Sequence, residues 1–282
     1  MHDKWCRCLR GSIYSNMNRK ILTIILLAIT LNAQKVMAWG GFAHTGIAYI
    51  AEQHLKPEVK EKCHHYLKHT LTYYAEWMDT WRGVPEFDSV NKPHTIRAKS
   101  DGVNLDWNGR PPGRCMGFLK SAIEELGEGK YKNLPDSVVR QRIINMVHYI
   151  PDMHCPSHVM FNKGPFSHYY YNIYNKGKLH NFHGFWDWAQ TYKRKIPTCK
   201  EYAELIDHAS KKQIKRWQKG TLDDWGRDII KQAHLRYQLT PAGTDIAKLS
   251  KEEVANIHAL CDEMALKAAY RLAYVLNTIF AE

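Results

Sequence analysis

Two imidazole–carboxylate pairs recur at one spacing: His148 and Asp152 in HYIPD, and His183 and Asp187 in HGFWD. Helical residues four apart lie one turn apart on one face, where both side chains can reach a single cation. His158 falls between the pairs, just after Pro156. One pair is weak evidence in a chain with 16 His, because surface ion pairs arise by chance; two pairs with a histidine between them form the pattern of a multinuclear metal site. Val147, Ile150, Phe185, Trp186 and Trp188 surround the pairs and place them near a core, where buried His and Asp need the compensation that a divalent cation supplies. Further donors precede them: Asp79 in EWMDTWR, a segment that also holds Glu76 and Arg82, and then His94 after Pro93. Clustered divalent cations acidify water and neutralise charge at phosphorus, so phosphate-ester hydrolysis is the chemistry such a cluster performs. It needs no nucleophilic side chain, and none with a convincing partner is present.

The elements that must position these residues read as helical almost throughout. Apolar residues recur at three and four spacing over residues 42–55, 135–152, 199–218 and 251–280. The second of these helices opens at Pro135-Asp136, with Val138, Val139, Ile143, Ile144, Val147 and Ile150 as its buried stripe, and Pro156 ends or bends it. The last carries a core stripe of Val254, Ile257, Leu260, Met264, Ala268, Leu272, Val275 and Ile279. Segments 83–113 and 163–183 read as irregular, and no strand-type alternation of useful length appears. The expectation is one all-α domain. At 282 residues, 44% hydrophobic and 24% charged, the chain is neither disordered, collagen-like nor a polytopic membrane protein.

The N-terminus reads as a targeting segment. Arg19 and Lys20 precede ILTIILLAITL (residues 21–31), which is short for a bilayer span, and Val36-Met37-Ala38 has the small residues of a signal-peptidase site. Cleavage is expected after Ala38, giving a signal segment 1–38 and a domain 39–282. Residues 1–16 form an upstream extension if Met17 is the start, and an uncleaved anchor is the other reading. Six of the 40 basic and one of the 28 acidic residues precede Trp39, so cleavage lowers the net charge from +12 to +7. A basic surface suits a polyanionic partner such as nucleic acid, although charge alone is weak evidence. Cys63, Cys115, Cys155, Cys199 and Cys261 remain, an odd set that allows at most two bridges in an oxidising compartment. A terminus at Trp39, with its α-amino pKa of about 7.7–8.0, would add a nitrogen donor near His44.

In order and spacing, Trp39, His44, the segment from Glu76 to Arg82, His94, His148, Asp152, His158, His183 and Asp187 resemble the zinc-dependent single-strand-specific nucleases of fungi and plants, sisters of the bacterial zinc phospholipases C. The resemblance implies a helical domain enclosing three Zn2+ ions. It implies that Asp79, His94 and His148 hold one zinc and that His158, His183 and Asp187 hold another. Trp39, through its amino nitrogen and carbonyl oxygen, and His44 would hold the third, with Asp152 bridging the first and third. Arg82 would stabilise charge on the phosphate, so Asp79, Arg82 and Asp152 form the implied catalytic set. The implied activity is hydrolysis of single-stranded RNA or DNA to 5′-phosphates, with 3′-nucleotidase activity, in a secreted or periplasmic protein.

The nuclease branch is favoured because His44 lies five residues after Trp39 and Asp187, rather than Glu, closes its pair. Three departures bear on the substrate. Thr95 and Arg97 stand where the nucleases carry a base-stacking aromatic and a base-bonding carboxylate, and a segment running from Phe161 through Tyr169, Tyr170 and Tyr171 replaces a Gly-Gly-Asn segment. A phospholipase C-like or other small phosphoester hydrolase, and an inactive zinc-binding protein, are the competing readings. The tyrosines could stack on bases or simply pack under the loop. His154, His168 and His180 are left outside the ligand set, and Cys155 reads as a buried or bridged cysteine rather than a soft ligand.

Overall fold

A computed structural model describes residues 39–81, 84, 94–107, 114–161, 171–196 and 198–281. The helices are α1 Gly41–Gln53, α2 Pro57–Leu67, α3 Leu71–Tyr74, α4 Trp77–Thr80, α5 Arg114–Leu126, α6 Asp136–His154, α7 Phe182–Trp188, α8 Cys199–Ile206, α9 Lys211–Gln218, α10 Leu222–His234, α11 Arg236–Leu239 and α12 Lys251–Phe280. The strands are β1 Ile96–Ala98, β2 Val159–Phe161, β3 Ile173–Asn175 and β4 Lys178–His180. The domain is mostly helical, as its periodicity predicts.

α6 is the central element. Asp136 in its first turn complements the helix dipole, and from Ile143 to its end every residue is buried, so this half must be enclosed on all sides. It packs against α5, α2 and α12. The helix runs past Asp152 to His154 with Pro151 inside it, and Cys155 then takes an extended backbone (φ −64°, ψ 124°). Pro156 disfavours helical geometry at the residue before it, which ends α6 there and starts the short 3-10 turn Pro156–His158.

α12 is capped by a reciprocal Ser250–Glu253 box and buries its whole expected stripe against α1 and α6. Residues 199–218 form two helices rather than the one expected. Asp207 leaves the helical backbone to bond the His54 ring and the Tyr270 hydroxyl, and Ser210 and Gln213 then form a capping box that starts α9. The Ser-x-x-Gln signal was in the sequence, but the apolar period ran across it.

Strands are also present, contrary to expectation, because three-residue strands are too short to show alternation. β3 and β4 pair antiparallel around Lys176 and Gly177, both at positive φ (52° and 74°), as a type I′ turn requires. β1 and β2 pair in parallel, Ile96 opposite Val159. That pairing sets His94, just before β1, beside His158, just before β2.

Candidate metal centre

α6 brings His148 and Asp152 to one face, α1 contributes His44, and α4 contributes Asp79. His94 and His158 arrive through the β1–β2 pairing, and α7 supplies His183 and Asp187. Asp152 is where they meet. Its Oδ1 lies 3.2 Å from His44 Nε2 and 3.1 Å from His158 Nδ1, and its Oδ2 lies 2.8 Å from His94 Nδ1 and 3.1 Å from His148 Nε2. Asp79 Oδ1 is 3.7 Å from both His94 Nδ1 and His148 Nε2. Asp187 reaches His158 Nε2 at 3.7 Å through Oδ1 and His183 Nε2 at 3.3 Å through Oδ2. All of these side chains are buried except His183, 21% exposed, which marks the side open to water.

The ring nitrogens are oriented for a cation. His148 Nδ1 lies 2.8 Å from the Ala75 carbonyl, which can only accept, so Nδ1 carries the hydrogen and Nε2 of the neutral ring offers a lone pair. That lone pair faces Asp152, an arrangement that repels unless a proton or a metal ion lies between them. His158 is held likewise, Nδ1 donating to the His94 carbonyl at 3.0 Å with Nε2 turned toward Asp187. A ring that donates one nitrogen to a carbonyl and offers the other is the usual posture of a metal-binding histidine. The buried His44 nitrogens, both Asp152 oxygens and Asp187 Oδ2 make no hydrogen bond, which fits donors awaiting a divalent ion. Among the described residues three donor groups are compact enough to hold one: His44, Asp79 and His148; His94, His148 and Asp152; and Cys155, His158 and Asp187. Nitrogen- and carboxylate-rich buried sets of this kind suit zinc.

Without metal, protons do this work. Burial would lower the His148 pKa, but the charges of Asp152 and Asp79 outweigh it and push the ring up to about 9. The same opposition raises His158. Burial works against ionised Asp152, yet the His148, His158 and His94 charges hold its carboxyl well below the usual range.

Trp39 is buried, its indole N–H donating to Gln190 Oε1 at 3.2 Å, and the next amide, Gly40 N–H, donates to the Asp187 carbonyl at 2.8 Å. The two glycines that follow admit close neighbours. A Cβ at Gly40 would sit 2.6 Å from the Trp188 ring, and one at Gly41 would collide with the Glu76 carboxylate. Trp39 is thereby pinned beside α7. Arg82, His168, Tyr169 and Tyr170 lie outside the described residues. Tyr171 packs between Phe182 and Tyr237 and bonds the Tyr237 carbonyl, a core role. His154 is buried and bonded to Arg271, and Thr95 receives the Cys115 thiol on its carbonyl. The five cysteines among the described residues are free. Cys155, which the sequence reads as a buried or bridged cysteine rather than a soft ligand, and Ser157, which it does not single out, both meet Asp187. Their only signal was position, inside the segment between Asp152 and His158.

A helical domain with these buried donor groups defines a candidate metal-binding protein, and comparison assigns its chemistry. The S1/P1 nuclease family matches residues 39–281, and the chain belongs to it: it is a phosphodiester hydrolase whose family acts on nucleic acid with zinc. No curated protein matches the chain. Among the described residues, no helix is long and apolar enough to cross a membrane.

Proposed function

We propose that the protein is a secreted or periplasmic zinc-dependent endonuclease that cleaves single-stranded RNA or DNA, leaves 5′-phosphates, and acts on terminal phosphates as a 3′-nucleotidase. The observation that carries this is Asp152, a fully buried carboxylate within 3.2 Å of four imidazoles whose own oxygens accept no hydrogen bond. Three Zn2+ ions are the proposed complement. Asp79, His94 and His148 would hold one, His158, His183 and Asp187 a second, and Trp39 with His44 a third, Asp152 being shared by the first and third. Zinc bound there supplies Lewis acidity toward the phosphate and lowers the pKa of water.

The chain's own residues prepare that site. Carbonyls of Ala75 and His94 fix two rings, and burial of Asp79, Asp152 and Asp187 calls for a compensating cation or proton beside each. Trp188, next to Asp187 in sequence and 46% exposed, would be the stacking face for a base. Cleavage after Ala38 would free the Trp39 amine where Gly40 already anchors the chain to α7. Metal analysis should therefore show one zinc fewer in protein that keeps residues before Trp39; equal zinc would remove the amine from the ligand set.

The direct test is incubation of zinc-loaded protein with end-labelled single- and double-stranded DNA and RNA, with end-group analysis of products. Cleavage of single strands to 5′-phosphate ends is expected. Phospholipid turnover without nucleic-acid cleavage would favour the phospholipase-like reading, and stoichiometric zinc with neither activity would leave a zinc-binding protein.

A further inference from the structure

We propose that Cys155 is a thiolate ligand at the metal position built on His158 and Asp187, so that one position of the cluster carries sulfur while the others carry only nitrogen and oxygen. The inference rests on the metal-centre reading above and adds a donor to it.

Cys155 is fully buried, unbridged, and placed by the helix-ending Pro156 between Asp152 and His158. Its Sγ lies 3.7 Å from Asp187 Oδ1, and His158 Nε2 lies 3.7 Å from the same oxygen. The donor atoms of all three residues fall within 4.8 Å of one another. Around a tetrahedral zinc with a metal–sulfur bond of about 2.3 Å and metal–nitrogen or metal–oxygen bonds of about 2.0–2.1 Å, neighbouring donors stand about 3.3–3.6 Å apart. The two separations from Asp187 Oδ1 match those edges to within a few tenths of an ångström.

Two observations point to a ligand rather than to packing. Asp187 Oδ2 is buried and accepts no hydrogen bond, and His158 keeps Nε2 turned toward Asp187 because Nδ1 is committed to a carbonyl. Cys63, Cys115 and Cys261 are buried to the same degree, as cysteine commonly is, yet none of them joins a donor group among the described residues. Ser157 completes the arrangement. Its Oγ–H donates to Asp187 Oδ1 at 2.5 Å and fixes that carboxylate, while the metal-free Cys155 thiol, 2.9 Å from the same oxygen, donates to it. Binding forms a metal–sulfur bond and releases the thiol proton to solvent, with no change of oxidation state. A sulfur donor would make this position prefer softer ions such as Cd2+.

The test is cobalt substitution of the purified protein, with the bound metal counted. A thiolate-to-cobalt charge-transfer band in the near ultraviolet is expected in the wild type and in Cys261→Ser, and should vanish in Cys155→Ala. In a chelator competition, that variant should lose one metal at least as readily as the roughly 10- to 100-fold weakening caused by loss of an outer-shell partner. Cadmium NMR of the unmodified protein, which needs no variant, should show one resonance shifted as for a single sulfur ligand. A full metal count without the band, or a band that persists in Cys155→Ala, overturns the inference and leaves the metal centre standing. Failure to bind any metal overturns both.

Discussion

Helix α6 carries two buried histidines, His148 and His154, that the fold treats in opposite ways. Each ring gives Nδ1–H to a carbonyl, His148 to Ala75 and His154 to Ile150. They differ in what meets Nε2. For His154 it is the Arg271 guanidinium at 2.8 Å, and burial together with that charge holds the ring's pKa well below its ordinary value, so it stays neutral and its lone pair accepts. Arg271 in turn donates to Asp228 and to the Trp217 carbonyl, and Lys267 joins Asp228 to Glu263. This network is closed: each of these contacts sets a permanent cation against an acceptor. For His148 the Nε2 neighbours are the Asp152 carboxylate at 3.1 Å and His94 Nδ1 at 3.0 Å, neither of them a permanent cation. The same helix thus holds a finished ion-pair network at one point and, one and a half turns away, a place where the missing charge must come from a proton or a metal. A buried polar cluster that closes on itself stabilises; one that does not is a binding site.

The contrast can be broken from either side. The largest effect is expected at the open end. Asp152→Asn, by removing the carboxylate shared between donor groups, should lower turnover by about 10⁴-fold, or about 5 kcal/mol of barrier, with loss of bound metal. Steady-state kinetics with a metal count checks this, and full activity would end the bridging proposal. At the closed end, Arg271→Ala should cost about 3 kcal/mol of folding stability by leaving His154 Nε2 and the Trp217 carbonyl without their donor, Asp228 keeping Lys267, measured by denaturant unfolding, while leaving the metal count unchanged.

The third effect is one of pH. Because His148 is raised to about 9 from 6.5, its contribution to the stability of the metal-free protein is complete below about pH 6.5 and is lost as pH rises through 9, up to about 3 kcal/mol. The lowered Asp152 contributes above its unfolded pKa and is lost only on acidification, so it leaves this window unaffected. Zinc must displace the His148 proton, so its binding should tighten over the same window. Thermal unfolding with and without chelator reads both, and a metal-free melting temperature that stays flat from neutral to alkaline pH would contradict the assignment. The smallest effect is expected from Ser157→Ala, which frees Asp187 Oδ1 and should weaken metal retention about 10- to 100-fold, seen in chelator competition.

Much of this was legible along the chain. α12 spans the residues its apolar period marks, and α6 was visible from Pro135 onward. The boundary errors have local causes. α6 continues past Asp152 because Pro151 is accommodated inside it, and 199–218 divides because the Ser210 cap outweighs a weak apolar period. β1 and β2 were invisible, since three residues paired across more than 60 positions leave no periodic trace, yet they are what sets His94 beside His158.

The sequence by itself determined which donors exist, their order, and the helical spacing that puts His148 with Asp152 and His183 with Asp187. These are properties of neighbours on one helix, and a period of 3.6 residues suffices to reveal them. Only the tertiary structure decided which partner each ring meets. His154 and His148 are alike in residue type and helix, and they part company because Arg271 of α12 reaches one and Asp79 of α4 the other. Cys155 and Ser157 become neighbours of Asp187 for the same reason: packing sets the contact across 30 residues of chain, where burial and charge act through space and local spacing carries no record of them.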